Sequence, residues 1–324
     1  MTRRHLLGAA LALTLPATGA SKAQVAREVF GAIPGPAGAQ SQSIGTYAKG
    51  CVVGAVEMPK DGPTWQGMRL SRNKQWGNPY TIAFLQRFSA SVAANDNWRG
   101  LLLGDISQPR GGPAVGHASH QLGLDADVYL TEMPNRRLSD VEREEMEMGS
   151  LLKRGALTVD EAKWRPEHLR IIRRAASQPD VERLFVHPGI KKKLCEVATG
   201  DRSWLRKVRP TYGHDYHFHI RLSCPPGSRC EPQKPVPAAE GCDKSLQWWF
   251  DVALQPPPPN AAPYKPKPPM QLSELPKACV ALASAPAGPM PSFAAASAAA
   301  PSAALTAFAP APAAVPIPTN RPMR

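Results

Sequence analysis

The sequence predicts an α+β fold built around an antiparallel sheet. Short strand patterns and a few helical patterns follow one another without the regular βαβ order of a parallel sheet. Six cysteines, an even number, favour disulfide bonds in an exported chain. After residue 255 a proline run leads into a segment of little but Ala, Pro and Ser. We therefore expect one disulfide-stapled domain with a disordered C-terminal tail.

Residues 1–23 have the pattern of a signal peptide. A basic start at residues 2–4 precedes an apolar run at 6–15, and small residues that suit cleavage follow. The letters TRRHLLG are also typical of a twin-arginine signal, so the export route stays open. No later segment has the length and apolarity of a transmembrane helix. The mature protein is expected outside the cytoplasm.

The remaining chain divides into three parts. Residues 26–255 form the predicted folded domain, which at about 230 residues is large enough for a substantial core. Residues 256–283 form a Pro-rich segment that Cys279 ties back to the body. Residues 284–324 form the Ala/Pro-rich tail, which we expect to be disordered.

Apolar spacing predicts the elements of the folded domain. Helices are expected over 78–96, 165–179 and 188–200, the first with Pro79 in its opening turn and the last ending at Gly200. Strands are expected at 51–58, 99–107, 124–130, 182–187 and 216–223.

Two of these strands, 124–130 and 216–223, alternate between apolar and polar residues. Alternation places one face on the core and leaves the polar set on an open face. The polar face carries Asp125, Asp127 and Tyr129 of the first strand and His217, His219 and Arg221 of the second. If the strands are neighbours, an aspartate and two histidines share one surface, which His120 joins from a loop that turns through Gly123.

His120, Asp127 and His219 are the candidate ligands of a catalytic zinc ion. Such an ion takes three nitrogen or oxygen ligands from the protein and leaves a fourth position for water. An HxH pair alone is weak evidence, but HASH before GLDAD is stronger, because His120 and Asp127 bracket a glycine turn. No CxxC pair supports a zinc ribbon. Spacing favours a Cys224–Cys230 disulfide and leaves the other pairings open.

The net charge of +13 bears on the partner. Export argues against nucleic acid and leaves an acidic cell-wall polymer or a membrane surface as the attracted partner. Basic residues cluster at 165–174 and 191–193, and we interpret most of them as solvated helix faces.

Five segments of the chain are long and distinctive: SQSIGTYAKGCVVGA, GHASHQLGLDADV, WRPEHLRIIRRAA, IKKKLCEVATGDRSWLRKVRP and HDYHFHIRLSCP. With them the chain resembles, from residue 41 to Cys279, the penicillin-insensitive murein endopeptidases, which are exported zinc peptidases related to lysostaphin, the D-Ala-D-Ala peptidases and the hedgehog proteins. The resemblance implies a periplasmic enzyme that hydrolyses the D-alanyl–meso-diaminopimelyl cross-link of peptidoglycan with a zinc-activated water. It uses no serine nucleophile, which explains insensitivity to β-lactams.

The resemblance also implies roles for individual residues. His120, Asp127 and His219 match zinc ligands, His217 matches a general base or transition-state group, and His214 matches a further active-site histidine. The implied disulfides are Cys51–Cys279, Cys195–Cys242 and Cys224–Cys230.

One zinc ion is expected rather than two. Some family descriptions include a second zinc, held by the residue at His117 and by an Asp and a His shortly before W-x-P-E. This chain has Gly155 and Thr158 there, and Asp160 is out of register. His117 is therefore a candidate metal ligand, a support for another ligand, or a plain loop residue.

Several other residues keep two interpretations. Asp125 either orients a histidine or is a solvated strand residue. Arg209 and Arg221 are candidates for binding a substrate carboxylate. Residues 248–250, two tryptophans and a phenylalanine, either stack on sugar or, as we favour, pack onto the body. His168 and His187 receive no role.

Two alternative functions stay open. A D,D-carboxypeptidase or dipeptidase shares the metal motif but trims a free stem terminus. A non-catalytic murein-binding protein would keep zinc only for structure. His217 and His214 disfavour the second alternative, because a structural site needs no uncoordinated histidine beside it.

Overall fold

Short strands and helices make up the computed structural model, which describes residues 24–38 and 40–288. The strands are β1 (Gln42–Thr46), β2 (Lys49–Val53), β3 (Val56–Glu57), β4 (Asp61–Gly62), β5 (Trp65–Gly67), β6 (Trp76–Gly77), β7 (Leu101–Leu103), β8 (Asp125–Tyr129), β9 (Val181–Val186), β10 (Val208–Pro210), β11 (His217–Leu222) and β12 (Arg229–Cys230). The helices are α1 (Ala26–Gly31), α2 (Pro79–Asn95), α3 (Asp140–Glu145), α4 (Pro166–Ala176), α5 (Pro188–Val197), α6 (Lys244–Trp248) and α7 (Lys277–Ser284).

The main sheet has the strand order β10–β9–β11–β8–β7–β5–β4. Its centre, β9–β11–β8–β7, is antiparallel, which confirms the predicted α+β class. Two pairings toward the edges, β10 with β9 and β5 with β7, are parallel. A second, three-stranded sheet of β12, β1 and β2 lies beside it.

Helix α2 packs on the sheet with the apolar stripe that the sequence predicts. Ile82, Leu85, Phe88 and Val92 are all buried in the main core, and burial of each such side chain contributes about 1.5–3 kcal/mol. Asn78 caps the helix by accepting a hydrogen bond from the Tyr80 amide. Pro79 is tolerated in the first turn, because a backbone N–H at that position would have no hydrogen-bond acceptor within the helix.

Some predicted boundaries are wrong. The expected strand 51–58 is interrupted at Gly54, which has φ +59°, so that β2 and β3 belong to different sheets. Helix α5 ends at Val197 rather than at Gly200, because Ala198 already has extended backbone. Strand β1 and helix α7 were not predicted.

All three disulfides that the resemblance implies are present: Cys51–Cys279, Cys195–Cys242 and Cys224–Cys230. The first crosses a separation of 228 residues and joins β2 to α7. Its sulfurs lie in a small core with Ala26, Phe30 and Leu282, so the two ends of the described chain pack together.

The predicted signal peptide, residues 1–23, lies outside the described residues, and so do residues 289–324 of the predicted tail. Among the residues that are described, no helix is long and apolar enough to cross a membrane.

The basic segments are less solvated than expected. Arg174 of α4 donates to the Asp96 carboxylate. Lys191 of α5 is fully buried and donates to the carbonyls of Leu205 and Glu240. Burial lowers the pKa of Lys191 to about 7.

Lys191 should give the protein a distinct pH dependence of stability. Its folded pKa lies below the unfolded value of about 10.4, so between these values the unfolded state binds more protons. The free energy of unfolding should therefore gain up to about 1.4 kcal/mol per pH unit from Lys191 as the pH rises from 7 toward 10. Urea unfolding of wild type and Lys191→Met at several pH values measures this contribution as a difference.

The matched control is Lys192→Met, because Lys192 is the exposed neighbour on the same helix. For this control, the change in the free energy of unfolding with pH should equal that of wild type. If Lys191→Met also showed the wild-type change between pH 7 and 10, the prediction would be contradicted.

Candidate metal centre

Strands β8 and β11 bring the predicted site residues together. They pair in an antiparallel register that sets Asp127 opposite His219 and Asp125 opposite Arg221. Their shared polar face is not open as expected, since every residue of both strands is buried. It instead forms the floor of a cleft of about 1330 Å³.

The loop before β8 carries His120 to the same point. Gly123, with φ +65°, makes the turn, and a Cβ there would lie 2.8 Å from the Asn78 backbone nitrogen. Glycine is therefore required by both conformation and space. His120 itself has a left-handed φ of +65°, which places its ring above β8 and β11.

Three side-chain atoms form a nearly equilateral triangle. His120 Nε2 lies 3.4 Å from Asp127 Oδ1 and 3.2 Å from His219 Nδ1, and His219 Nδ1 lies 3.5 Å from Asp127 Oδ1. Tetrahedral zinc ligands with bonds of about 2.0–2.1 Å are about 3.3 Å apart. The triangle therefore has the dimensions of one face of a zinc coordination tetrahedron.

The hydrogen bonds of the two histidines select the tautomer that a metal needs. His120 Nδ1 lies 2.7 Å from the Ile106 carbonyl, which can only accept, so this nitrogen carries the proton. His219 Nε2 likewise donates to Asp125 Oδ1 at 2.8 Å. The remaining nitrogens, which belong to the triangle, are thus the ones with a lone pair to offer.

Charge also favours a cation within the triangle. Asp127 Oδ1 is buried and has no hydrogen-bond partner among the described residues. In the metal-free chain burial opposes charge on His120, but Asp127 outweighs it and raises the pKa of His120 to about 9. Burial lowers the pKa of His219 to about 4, which keeps that ring neutral. Two imidazole nitrogens that can each offer a lone pair, together with one carboxylate oxygen, are ligands that suit zinc.

Asp125 accepts hydrogen bonds from both histidines of the triangle. Its Oδ1 accepts from His219 Nε2 and from Arg221 Nε, both at 2.8 Å, and its Oδ2 accepts from the His120 amide at 2.8 Å. Asp125 is fully buried, so its interpretation as a solvated residue is wrong and its interpretation as a support for a histidine is confirmed. Arg221 is committed to Asp125 and lies over the Tyr47 ring, so it is not free to bind a substrate carboxylate.

His217 lies beside the triangle without belonging to it. Its Nε2 is 3.6 Å from Asp127 Oδ1, and its Nδ1 is buried with no partner in the described chain. Burial lowers the pKa of His217 to about 4. The ring of His214 lies 4.7 Å from that of His217, and His214 Nδ1 donates to the Tyr212 carbonyl.

His117 lies on the other side of the triangle. Its Nε2 is 2.8 Å from Asp105 Oδ2, and its ring is 4.3 Å from that of His120. His117, His120 and Asp127 also offer ligand atoms within 4.8 Å of one another, a looser grouping than the triangle. Sequence reasoning missed Asp105, although a charged residue directly after the buried strand β7 is a signal that could have identified it.

Basic side chains line the cleft on both sides of the triangle. On the β9 side it is lined by Arg183 and Lys234, and on the β7 side by Arg72 and Lys74, which contact Asp105. Two members of the triangle, Asp127 on β8 and His219 on β11, lie between them in the strand order. Positive charge therefore flanks the triangle on both sides, and Asp105 offsets part of it on the β7 side.

His168 and His187 are structural. His168 bridges the Arg165 amide and the Leu130 carbonyl, and His187 caps α5 by accepting from the Gly189 amide. Asp160 accepts from the Ala162 amide in a turn.

Comparison with known proteins reveals close relatives. The profile of the family described as penicillin-insensitive murein endopeptidase matches residues 43–284. A protein of that name from Haemophilus influenzae is 43% identical over 232 residues, which cover 70% of this chain and 78% of the relative. The namesake from Pectobacterium atrosepticum is 40% identical over 282 residues, or 86% and 97% of the two chains. That of Escherichia coli K12 is 39% identical over 273 residues, or 84% and 96%.

Asp125→Asn should weaken zinc binding. Asparagine keeps the shape and one acceptor oxygen but loses the charge that polarises His219. The dissociation constant for zinc, measured by competition with a chromophoric chelator, should rise by about 10–100-fold. Circular dichroism and urea unfolding show whether the variant stays folded, since Arg221 loses its ionic partner.

Glu231→Gln is the matched control. Glu231 lines the same cleft but makes no hydrogen bond or ion pair with a histidine in the described part of the chain. Its zinc affinity should equal that of wild type, and an Asp125→Asn affinity equal to both would refute the role of Asp125.

Proposed function

The chain belongs to the family of penicillin-insensitive murein endopeptidases, and we propose that it hydrolyses the D-alanyl–meso-diaminopimelyl cross-link of peptidoglycan at a zinc centre. The ligands would be His120 Nε2, Asp127 Oδ1 and His219 Nδ1. The observation that carries the proposal is this triangle of ligand atoms in a cleft whose basic lining residues lie on either side of it in the strand order. Peptidoglycan lies outside the cytoplasm, so we place the enzyme in the periplasm.

The course of the cleft favours an endopeptidase over a carboxypeptidase. A cross-link has peptide on both sides of the bond to be cut, and stem peptides carry free carboxylates. Arg183 and Lys234 on one side suit such a substrate, and on the other side so does Arg72, whose side chain is 48% exposed despite its contact with Asp105. A carboxypeptidase needs room and charge on only one side for the released residue.

His217 is the group best placed to handle the proton. A bound zinc ion would lower the pKa of water and polarise the scissile carbonyl. His217 is neutral at pH 7 because burial lowers its pKa, so it can take a proton from the attacking water. Once protonated, it can donate a hydrogen bond to the oxyanion that forms on the carbonyl oxygen when the water adds to the carbon.

His214 and His117 serve this centre indirectly in the proposal. His214 packs against His217 and limits its orientation. His117, held by Asp105 next to the His120 ring, keeps that ligand in place and is not needed as a second metal ligand.

Cleavage of a purified cross-linked muropeptide dimer tests the activity. Mass spectrometry should show two monomers for each dimer, and a chelator should stop the reaction until zinc is restored. His217→Ala should retain zinc and fold but lower kcat by about 10²–10⁴-fold, the usual contribution of general acid–base catalysis.

A monomeric pentapeptide is the control substrate, since a D,D-carboxypeptidase would release its terminal D-Ala. A zinc-loaded wild-type protein that leaves the dimer intact would refute the endopeptidase. If His217→Ala kept full activity, the proton would have to be handled elsewhere.

A further inference from the structure

Exposed aromatic side chains lie beside the cleft. Tyr212 is 59% exposed and Trp248 is 49% exposed, and Trp249 lies between them. The Trp249 ring is 5.1 Å from that of Tyr212 and 5.6 Å from that of Trp248. We call these three residues the aromatic ridge. The expectation that residues 248–250 pack onto the body is therefore wrong for Trp248.

The ridge is held rigidly. The Cys195–Cys242 disulfide anchors the chain just before it, and Asp243 caps α6 by accepting from the Ser245 amide. On its far side, Tyr212 donates its hydroxyl to the Ala253 carbonyl at 3.0 Å. Because these bonds order a segment in which the Tyr212 and Trp248 rings stay about half exposed, core packing does not account for these two rings.

The ridge is continuous with the cleft. Tyr212 belongs to both, since it lines the cleft and contacts Trp249. The Tyr212 carbonyl also accepts the hydrogen bond from His214 Nδ1. A ligand that runs along the ridge therefore arrives at the cleft next to His214.

The chemistry of the ridge suits a chain of sugars. Aromatic rings bind sugars by stacking on the apolar C–H face of the pyranose, and Trp248 and Tyr212 are the two rings exposed enough to do so. They meet Trp249 at 78° and 69°, so the ridge offers separate ring faces rather than one flat platform. Gln247 and Asp251, exposed on the same turn and hydrogen-bonded to each other, add polar atoms beside these rings. The acidic Asp251 disfavours an anionic lipid surface as the occupant.

We propose that the aromatic ridge binds the glycan strand of the peptidoglycan whose cross-link enters the cleft. This proposal rests on the proposed substrate and adds a site for its carbohydrate part. Stems branch from the glycan, so binding of the strand outside the cleft leaves the peptide free to reach the metal centre.

Peptide-free glycan strands, which contain no bond for the enzyme to cut, are the probe. Their affinity for the zinc-loaded mature protein is measured by calorimetry for wild type, Trp248→Ala and Trp248→Tyr. The dissociation constant of Trp248→Ala should rise about five- to tenfold, as for the loss of one aromatic stacking partner. Trp248→Tyr should recover most of the affinity.

Tyr264→Ala is the matched control, because Tyr264 is an aromatic residue 86% exposed on the Pro-rich segment. It should bind glycan like wild type. Both alanine variants should cut a sugar-free cross-linked peptide dimer at the wild-type rate, while Trp248→Ala should show a raised KM for intact sacculi.

Equal glycan affinity of Trp248→Ala and Tyr264→Ala would overturn the proposal. The proposal would also be overturned if Trp248→Ala lost as much cleavage activity on the sugar-free dimer as on intact sacculi. Binding of the wild-type protein to phosphatidylglycerol vesicles but not to glycan would overturn it as well. A wild-type protein that binds glycan but cuts no dimer would refute the proposed function and leave the ridge intact as a glycan site.

Discussion

The buried carboxylate of Asp125 is the interaction on which the site depends. It joins two predicted ligands, His219 through the ring and His120 through the backbone, to one rigid point, and Arg221 compensates its charge. A buried carboxylate is costly unless it is paired and fully hydrogen-bonded. Here the partners that satisfy Asp125 are the groups that the metal centre must position, so stability and site geometry are coupled.

The register of β8 and β11 makes this coupling possible. Asp125 and Asp127 are two residues apart and therefore point to the same face, as do His219 and Arg221. A shift by one residue would turn all four into the core. The apolar residues between them, Ala126 on β8 and Ile220 on β11, lie in the main core and oppose such a shift. The hydrophobic pattern of two short strands thus determines which atoms meet at the proposed metal site.

Much of the site was predictable from local patterns, while its depth was not. Alternation in β8 and β11 correctly assigned the faces of Asp127 and His219, and Gly123 marked the turn that brings in His120. The sequence does not show what covers a sheet, so the burial of the polar face emerged only from the structure. The exposure of the ridge was misjudged for the same reason, because it depends on contacts between segments far apart in the chain. The sequence alone predicts a solvated Lys191, whereas in the structure the segment that contains Glu240 covers its ammonium group.

The turn at residues 211–214 links substrate recognition to chemistry. It carries Tyr212 of the ridge and His214 beside His217, and Gly213 and His214 both have left-handed φ angles, +64° and +59°. A non-glycine residue pays for that conformation, which fits a position constrained by function. Binding energy gained on the glycan is the same before and during peptide hydrolysis, so it holds the enzyme on the polymer without lowering the barrier to cleavage. The turn thus connects the proposed glycan site and the proposed catalytic histidines within four residues of chain.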